Sequence, residues 1–281
     1  MLFGDYRVEI VPDTEFRLDG GAMFGVVPRA LWSQSCPPDE HNRIRLNMNC
    51  LFVEAGRERI IVETGIGDKW APKLEAMYGI TRRKSLTDSI KSVTGYDAAE
   101  ITIVVNTHLH FDHAGGNTTR DAQGRIAPTF PNARYMVSRD EYEHAGSPHE
   151  RDRASYLPEN WRPVRESGQL ELKDPHYEVV PGLRMETIAG HSRTMQCVRL
   201  EQGGQTLFGF ADLVPTRAHV ALAWIMGYDL YPVETLEAKR RLLPQAAREN
   251  WLCLFYHEPD EPLCRVAEIE GKLKTIPYEQ V

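Results

Sequence analysis

Residues 101–117 read ITIVVNTHLHFDHAGGN. The stretch opens on Ile101–Val105, an apolar β-branched run of the kind that forms a buried strand. It then breaks into a polar segment that holds His108, His110, Asp112 and His113 within six residues. It closes on Ala114-Gly115-Gly116, where missing side chains let another piece of backbone come close. Alternate residues of an extended segment point the same way, so His108 and His110 can converge on one point. Asp112 and His113 lie past the turn and can serve a second point beside it. The pattern describes part of a two-metal site at the end of a strand.

Four groups do not fill two metal spheres, so further ligands are expected elsewhere. Three residues share the same context, a ligand-type side chain directly after a strand-like run. His191 follows METIAG (185–190), Asp212 follows TLFGFA (206–211), and His257 follows LCLFY (252–256). Strand ends along one sheet edge lie close together, so these residues are expected to join the central motif. His108, His110 and His191 would make one site and Asp112, His113 and His257 the other, with Asp212 bridging and a hydroxide between the ions. Imidazole and carboxylate donors suit Zn2+, and the same set accepts Mn2+, Co2+ or Fe2+.

The rest of the chain supplies a frame for that site. Arg7–Val11, Phe16–Leu18, Asn49–Glu54 and Arg59–Glu63 read as strands, the last two as a hairpin through Ala55-Gly56-Arg57. Gly20-Gly21-Ala22 and Gly25 read as turn or close-approach glycines beside the apolar patch Met23–Trp32. Lys84–Val93 has helical spacing and stops at Gly95. Arg134–Val137 is a strand that leads into a helix start at Ser138. Residues 146–168 are rich in Pro, Arg and aromatics, and are expected to be a loop excursion or a cap over the site. Glu178–Val180, Met185–Ile188, Gln196–Glu201 and Thr206–Phe210 are further strands. Glu234–Trp251 is an amphipathic helix in which Pro244 is expected to cause a kink. Two β-rich halves that each carry helices imply an α/β fold of sheet packed on sheet with helices outside, expected as a single domain over 1–281.

Composition limits the function. The chain has 281 residues, 42% hydrophobic and 26% charged, which suits a globular protein. A net charge of −7 argues against non-specific nucleic-acid binding. No apolar run approaches the roughly 18 residues needed to span a bilayer. The start, MLFGDYRVEIVPDTEF, lacks the apolar core of a secretory signal. Five scattered cysteines with no C-x-x-C make reduced thiols and a cytoplasmic location the expectation.

The run THLHFDHAGG (107–116) resembles the H-x-H-x-D-H signature of the metallo-β-lactamase fold superfamily of metallo-hydrolases. His191, Asp212 and His257 resemble that family's remaining ligands in order and spacing. The spacing is most similar to the N-acyl homoserine lactone lactonases and organophosphate-hydrolysing relatives. The resemblance implies a four-layer αββα sandwich, two mixed β-sheets face to face with helices outside. It also implies a hydrolase in which a metal-bridging hydroxide opens a lactone or cleaves a related ester. Phosphotriesters or aryl esters are the alternative substrates. Asp112 and Asp212 would be the catalytic carboxylates, with Asp112 carrying a proton toward the leaving group. The family's Asp-Thr-Gly turn appears as Glu63-Thr64-Gly65, which gives Glu63 the part of orienting a ligand histidine.

One departure concerns the tyrosine that the resembled lactonases carry three residues after the bridging aspartate. This chain has Pro215 there. Tyr228, Tyr231, His219 and Tyr256 are candidates for a replacement donor, and His219, Trp224 and Tyr228 are expected near a substrate pocket. His41, His144, His149 and His176 are assigned no role. Met23–Trp32 is expected to line the pocket or a homodimer face. Other readings of the same fold are weaker. A thioesterase like glyoxalase II has a C-terminal helical region for which the 24 residues after His257 are expected to be too short. A di-iron redox protein replaces the second histidine with glutamate, where this chain has His110. A non-catalytic binding protein has no use for the full ligand set.

Overall fold

The computed structural model describes residues 1–278, and the last three residues of the expected 1–281 domain lie outside that range. Two seven-stranded sheets form the frame. In spatial order the first holds Leu2–Phe3, Tyr6–Pro12, Asn49–Ala55, Glu58–Val62, Ile103–Val105, Arg134–Ser138 and Leu170–Lys173. The second holds His176–Val180, Leu183–Thr187, Gln196–Gln202, Gln205–Gly209, Leu252–Leu254, Leu263–Ile269 and Lys272–Pro277. Both sheets are mixed. The first turns parallel where Glu58–Val62 meets Ile103–Val105, and the second does so where Gln205–Gly209 meets Leu252–Leu254.

Ile103–Val105 is buried at every position because parallel neighbours flank it and both faces are covered. The core between the sheets draws Val8, Val53 and Val62 from one side and Met185, Val198 and Leu254 from the other. Helix Pro232–Arg248 covers the outer face of the second sheet, burying Leu242, Leu243 and Ala246 against Phe208, Phe210 and Trp251. It runs unbroken across Pro244. Helix Leu86–Thr94 packs outside the first sheet. Its ends follow from sequence: Ser85 Oγ accepts the Asp88 amide, and Gly95 closes the helix in a left-handed conformation at φ 87°. The result is an αββα sandwich.

Gly20-Gly21-Ala22, read as a turn or a close approach, opens the short helix Gly20–Phe24, and the close approach is the one Gly20 makes. The Asp19 carboxylate accepts the Ala22 amide at 2.8 Å, and the Trp32 ring lies where a Gly20 side chain would be. Capping and that tight aromatic contact override the low helix propensity of paired glycines. Residues 146–168 fold into two 3-10 turns, Arg153–Ser155 and Pro158–Asn160, followed by helix Arg162–Glu166. A backbone bridge between His110 and Tyr156 pins this segment to the histidine motif.

Candidate metal centre

The ligand-type residues emerge where strands run out. His108 and His110 follow Ile103–Val105, and Asp112 and His113 sit in the short helix Phe111–Ala114. His191 follows Leu183–Thr187, Asp212 lies in the turn Ala211–Leu213, and His257 follows Leu252–Leu254. All seven are buried. Donor atoms of His108, His110, His191 and Asp212 lie within 4.8 Å of one another, as do those of Asp112, His113 and His257.

Asp212 faces both groups. Its Oδ2 is 3.4 Å from His191 Nε2, while its Oδ1 is 3.1 Å from His113 Nε2 and 3.0 Å from His257 Nε2. His110 Nδ1 is 3.1 Å from His191 Nε2, and His113 Nε2 is 3.2 Å from His257 Nε2. Tetrahedral donors bonded to one ion at 2.0–2.1 Å sit about 3.3 Å apart. These separations match that edge length, so the donor set fits two divalent ions that share Asp212. His108 Nε2, buried and without a hydrogen-bond partner, is consistent with the same reading.

Outer contacts fix which nitrogen each ring presents. His257 Nδ1 donates to the Asn47 carbonyl at 3.1 Å, which leaves Nε2 bare toward Asp212. His191 Nδ1 donates to Asp229 Oδ1 at 3.0 Å, and Thr235 Oγ1 donates to Asp229 Oδ2 at 2.7 Å. Glu63 is wholly buried at φ 70°, a backbone conformation rare outside glycine. It accepts the Thr107 amide at 3.0 Å and lies 3.4 Å from His113 Nδ1. Carboxylates and carbonyls of this kind orient metal-binding imidazoles and raise their basicity.

The glycines of the motif also find their partner. An added side-chain carbon on Gly115 would stand 2.3 Å from the Ile66 carbonyl carbon, and one on Gly67 would stand 2.3 Å from Gly115 O. The turn after Glu63 therefore packs backbone against backbone on the end of the histidine motif.

Burial, followed by the neighbouring imidazoles, pushes His108 and His110 well below the ordinary histidine range. In His113 and His191 burial acts the same way, but Asp212, with Glu63 and Asp229 respectively, outweighs it and raises both. Burial would raise Asp212, yet His113, His257 and His191 hold it well below the carboxylate range. A divalent cation relieves this tension, because it takes neutral imidazoles and an ionised carboxylate as ligands.

A cavity of about 170 Å³ opens over the cage, and His110, Asp112, His191, Asp212 and His257 reach it. Leu18, Met23, Phe111 and Met226 make its apolar wall, Tyr78 and Tyr228 its phenolic one. Neither phenol oxygen hydrogen-bonds to a partner among the described residues. Burial first, then Asp112, raises Tyr78. Burial, then Asp19, Tyr78 and Asp112, pushes Tyr228 up to about 12, so it keeps its proton. Arg151, Asp152, Ala154 and Ser155 close the cavity from the 146–168 segment.

His219 and Trp224, expected near the pocket, do not line this cavity. The His219 ring stacks on Phe24 at 4.6 Å, and Trp224 meets Phe24 edge-on at 5.6 Å. Both support the helix that presents Met23. Tyr256 is buried in the core between the sheets, and Tyr231 lies outside the lining as well. Asp229, Tyr78 and Asp152 carry no motif in the sequence. Only the fold brings them to the site.

A buried pair of His/Asp clusters sharing one carboxylate, set at the edge of a two-sheet sandwich, defines a metal-dependent hydrolase. The chain belongs to the metallo-beta-lactamase superfamily, whose family model matches residues 44–257. It is 27% identical over 246 residues to an N-acyl homoserine lactonase of Bacillus thuringiensis, covering 79% of this chain and 86% of that one. It is 29% identical over 202 residues to the N-acyl homoserine lactonase AttM of Agrobacterium fabrum, with 70% of each chain covered. Among solved structures, a probable metal-dependent hydrolase from Staphylococcus aureus superposes with a TM-score of 0.90 at 28% identity over the full length of both chains. The dizinc quorum-quenching lactonase AidC shares the fold at a TM-score of 0.80 and 19% identity, over 100% of this chain and 97% of that one.

Proposed function

We propose that this chain opens a lactone, or cleaves a related carboxylic ester, at a pair of divalent ions, with Zn2+ the first choice. The observation that carries the reading is the cavity that opens directly over Asp212 and joins the two ligand groups to an apolar wall and two free phenols. The lactonase relatives support the same substrate class. His108, His110 and His191 would hold one ion, Asp112, His113 and His257 the other, and Asp212 both. Bound there, the ions supply a nucleophile from water near neutral pH and a Lewis acid for the substrate carbonyl.

The protein's own groups do the rest. Asp229, Asn47 and Glu63 hold the ligand imidazoles in place. Tyr228 and Tyr78 donate O–H groups to the carbonyl oxygen, the task for which Pro215 offers nothing. Asp112, which lines the cavity, would take the proton released by the attacking water and pass it to the leaving alkoxide. Leu18, Met23, Phe111 and Met226 hold the apolar part of the substrate and exclude water. The five cysteines are unpaired, which supports a reducing, cytoplasmic location.

The test is a panel of lactones, aryl esters, phosphotriesters and β-lactams, assayed with the metal-reconstituted chain. Lactones are expected to give the highest kcat/KM. Strong phosphotriester turnover with none on lactones overturns the proposal.

A further inference from the structure

The histidine motif lies beyond the end of its strand. Ile103–Val105 is paired on both sides, but residues 107–110 have left the ladder and are buried, so their amides need other acceptors. Two buried carboxylates supply them at alternate positions. Glu63 accepts the Thr107 amide, just before His108, at 3.0 Å. Glu141 accepts the Leu109 amide, between His108 and His110, at 2.7 Å. Glu63 also faces His113, on the half of the cage built from Asp112, His113 and His257. Glu141 serves the other half, built from His108, His110 and His191.

Glu141 stands in the first turn of helix Arg139–Gly146, where Ser138 Oγ accepts its amide at 3.2 Å, and its side chain is wholly buried. Burying a carboxylate is unfavourable, and this one is compensated by donors from three separate segments. Oε1 accepts the Leu109 amide and, at 3.1 Å, the Tyr156 hydroxyl. Oε2 accepts the Thr194 hydroxyl from the loop after His191. That loop is a compact turn. The Thr194 and Met195 amides donate to Ser192 Oγ at 3.2 and 2.9 Å, and the Gly190 amide donates to the Ser192 carbonyl at 3.0 Å. Holding Thr194 therefore holds His191. Tyr156 meets the His110 ring edge-on at 4.6 Å and shares a backbone bridge with that residue. The Leu109 side chain packs with Val137, Ala145 and Trp161, which anchors the backbone between the two histidines from a second direction.

We infer that Glu141 is a positioning residue for the ion held by His108, His110 and His191, because one carboxylate fixes the span between the H-x-H backbone and the His191 loop. This role rests on the two-ion reading above and deepens it. None of the three donors to Glu141 belongs to the Asp112, His113 and His257 group. Loss of the carboxylate therefore loosens one ion and leaves the ligands of the other in place. A group that orients metal ligands without touching the metal changes affinity by about 10- to 100-fold when removed.

The experiment loads the chelated full-length chain with Cd2+ and reads both sites by cadmium NMR. Two lines are expected, with the three-nitrogen site downfield because nitrogen donors deshield cadmium more than oxygen donors. The line lost in His191→Ala assigns it. Glu141→Ala is expected to shift or broaden that line alone, and to weaken zinc at that site about 10- to 100-fold in a chelator competition. Glu141→Gln is expected to restore the line, since its amide oxygen accepts from Leu109 and Tyr156 and its NH2 donates to the Thr194 hydroxyl. Thr194→Val, which cuts only the tie to the His191 loop, is expected to move the same line, and it decides the matter should Glu141→Ala fail to fold. Equal weakening of both ions, as a merely structural carboxylate would give, overturns the inference, and so do two unmoved lines in both variants. A wild type that takes up a single Cd2+ ion refutes the two-ion reading. The inference then stands if that one line is lost in His191→Ala and moves in Thr194→Val, and falls if it does neither.

Discussion

His219 gives the chain a pH-dependent stability whose size follows from its surroundings. The ring is buried and stacked on Phe24, with the two planes 4° apart. Its Nε2 donates to the Met23 carbonyl at 2.8 Å, and Nδ1 accepts from Thr216 Oγ1 at 2.8 Å. The neutral ring satisfies both contacts, and a second proton would break the Thr216 bond. Burial above all lowers its pKa, to about 3. The unfolded chain protonates this histidine below about pH 6.5 while the folded chain does not. Stability from this group is therefore complete above pH 6.5 and is lost as pH falls toward 3. At about 1.4 kcal/mol per pH unit, the loss is about 2 kcal/mol at pH 5 and about 3.4 kcal/mol at pH 4. His219→Gln keeps an N–H for Met23 and removes the titration. Urea unfolding of both proteins from pH 8 to pH 4 isolates the effect, because other acid-sensitive groups cancel in the difference. The wild-type curve should fall relative to the variant with that slope. Parallel curves would refute the assignment of a neutral buried imidazole.

Three further outcomes follow from the site. Asp229→Ala frees the Nδ1 side of His191, and zinc affinity in a chelator competition should fall about 10- to 100-fold; unchanged affinity would show that Asp229 does not orient the ring. Gly115→Ala places a carbon 2.3 Å from the Ile66 backbone, so the urea midpoint should drop by the equivalent of about 1–3 kcal/mol, and an unchanged midpoint would mean that the turn yields freely. Exhaustive chelation should abolish turnover and lower the unfolding temperature, and zinc at about 100 times its Kd should restore about 2.7 kcal/mol; full activity in the chelated protein would contradict the metal-dependent reading.

The parts of the site that were legible share one property: a ligand-type side chain stands directly after an apolar β run. That is why His191, Asp212 and His257 could be matched to His108–His113 without any structure. The close approach of Gly115 was also legible as a need, although its partner, the turn at Gly65–Gly67, was not. Asp229 was hidden because it lies 38 residues from the histidine it orients, in a loop with no periodicity. His219 was expected at the pocket because it follows Asp212 closely in a segment that carries Trp224 and Tyr228. Its burial comes from Phe24, which is far away in sequence and which Asp19 capping folds into a helix. The 146–168 segment showed only its composition, and its bond to His110 through Tyr156 and Glu141 is purely tertiary.

The convergence of the ligands follows from strand direction. Gln205–Gly209 and Leu252–Leu254 are parallel neighbours, so Asp212 and His257 leave the second sheet at the same edge. Leu183–Thr187 is antiparallel to Gln196–Gln202, which is antiparallel to Gln205–Gly209, so His191 leaves at that edge too. In the first sheet Glu58–Val62, Ile103–Val105 and Arg134–Ser138 run parallel, which sends Glu63, the histidine motif and the Glu141 helix out together. Each sheet thus supplies part of the cage, and the core between them fixes the distance across it. A connection inserted after any of these strands changes the cavity without moving the ligands' roots. The ligands therefore belong to the sheet edges, and the cavity wall belongs to the loops that carry Tyr78, Asp152 and Tyr228.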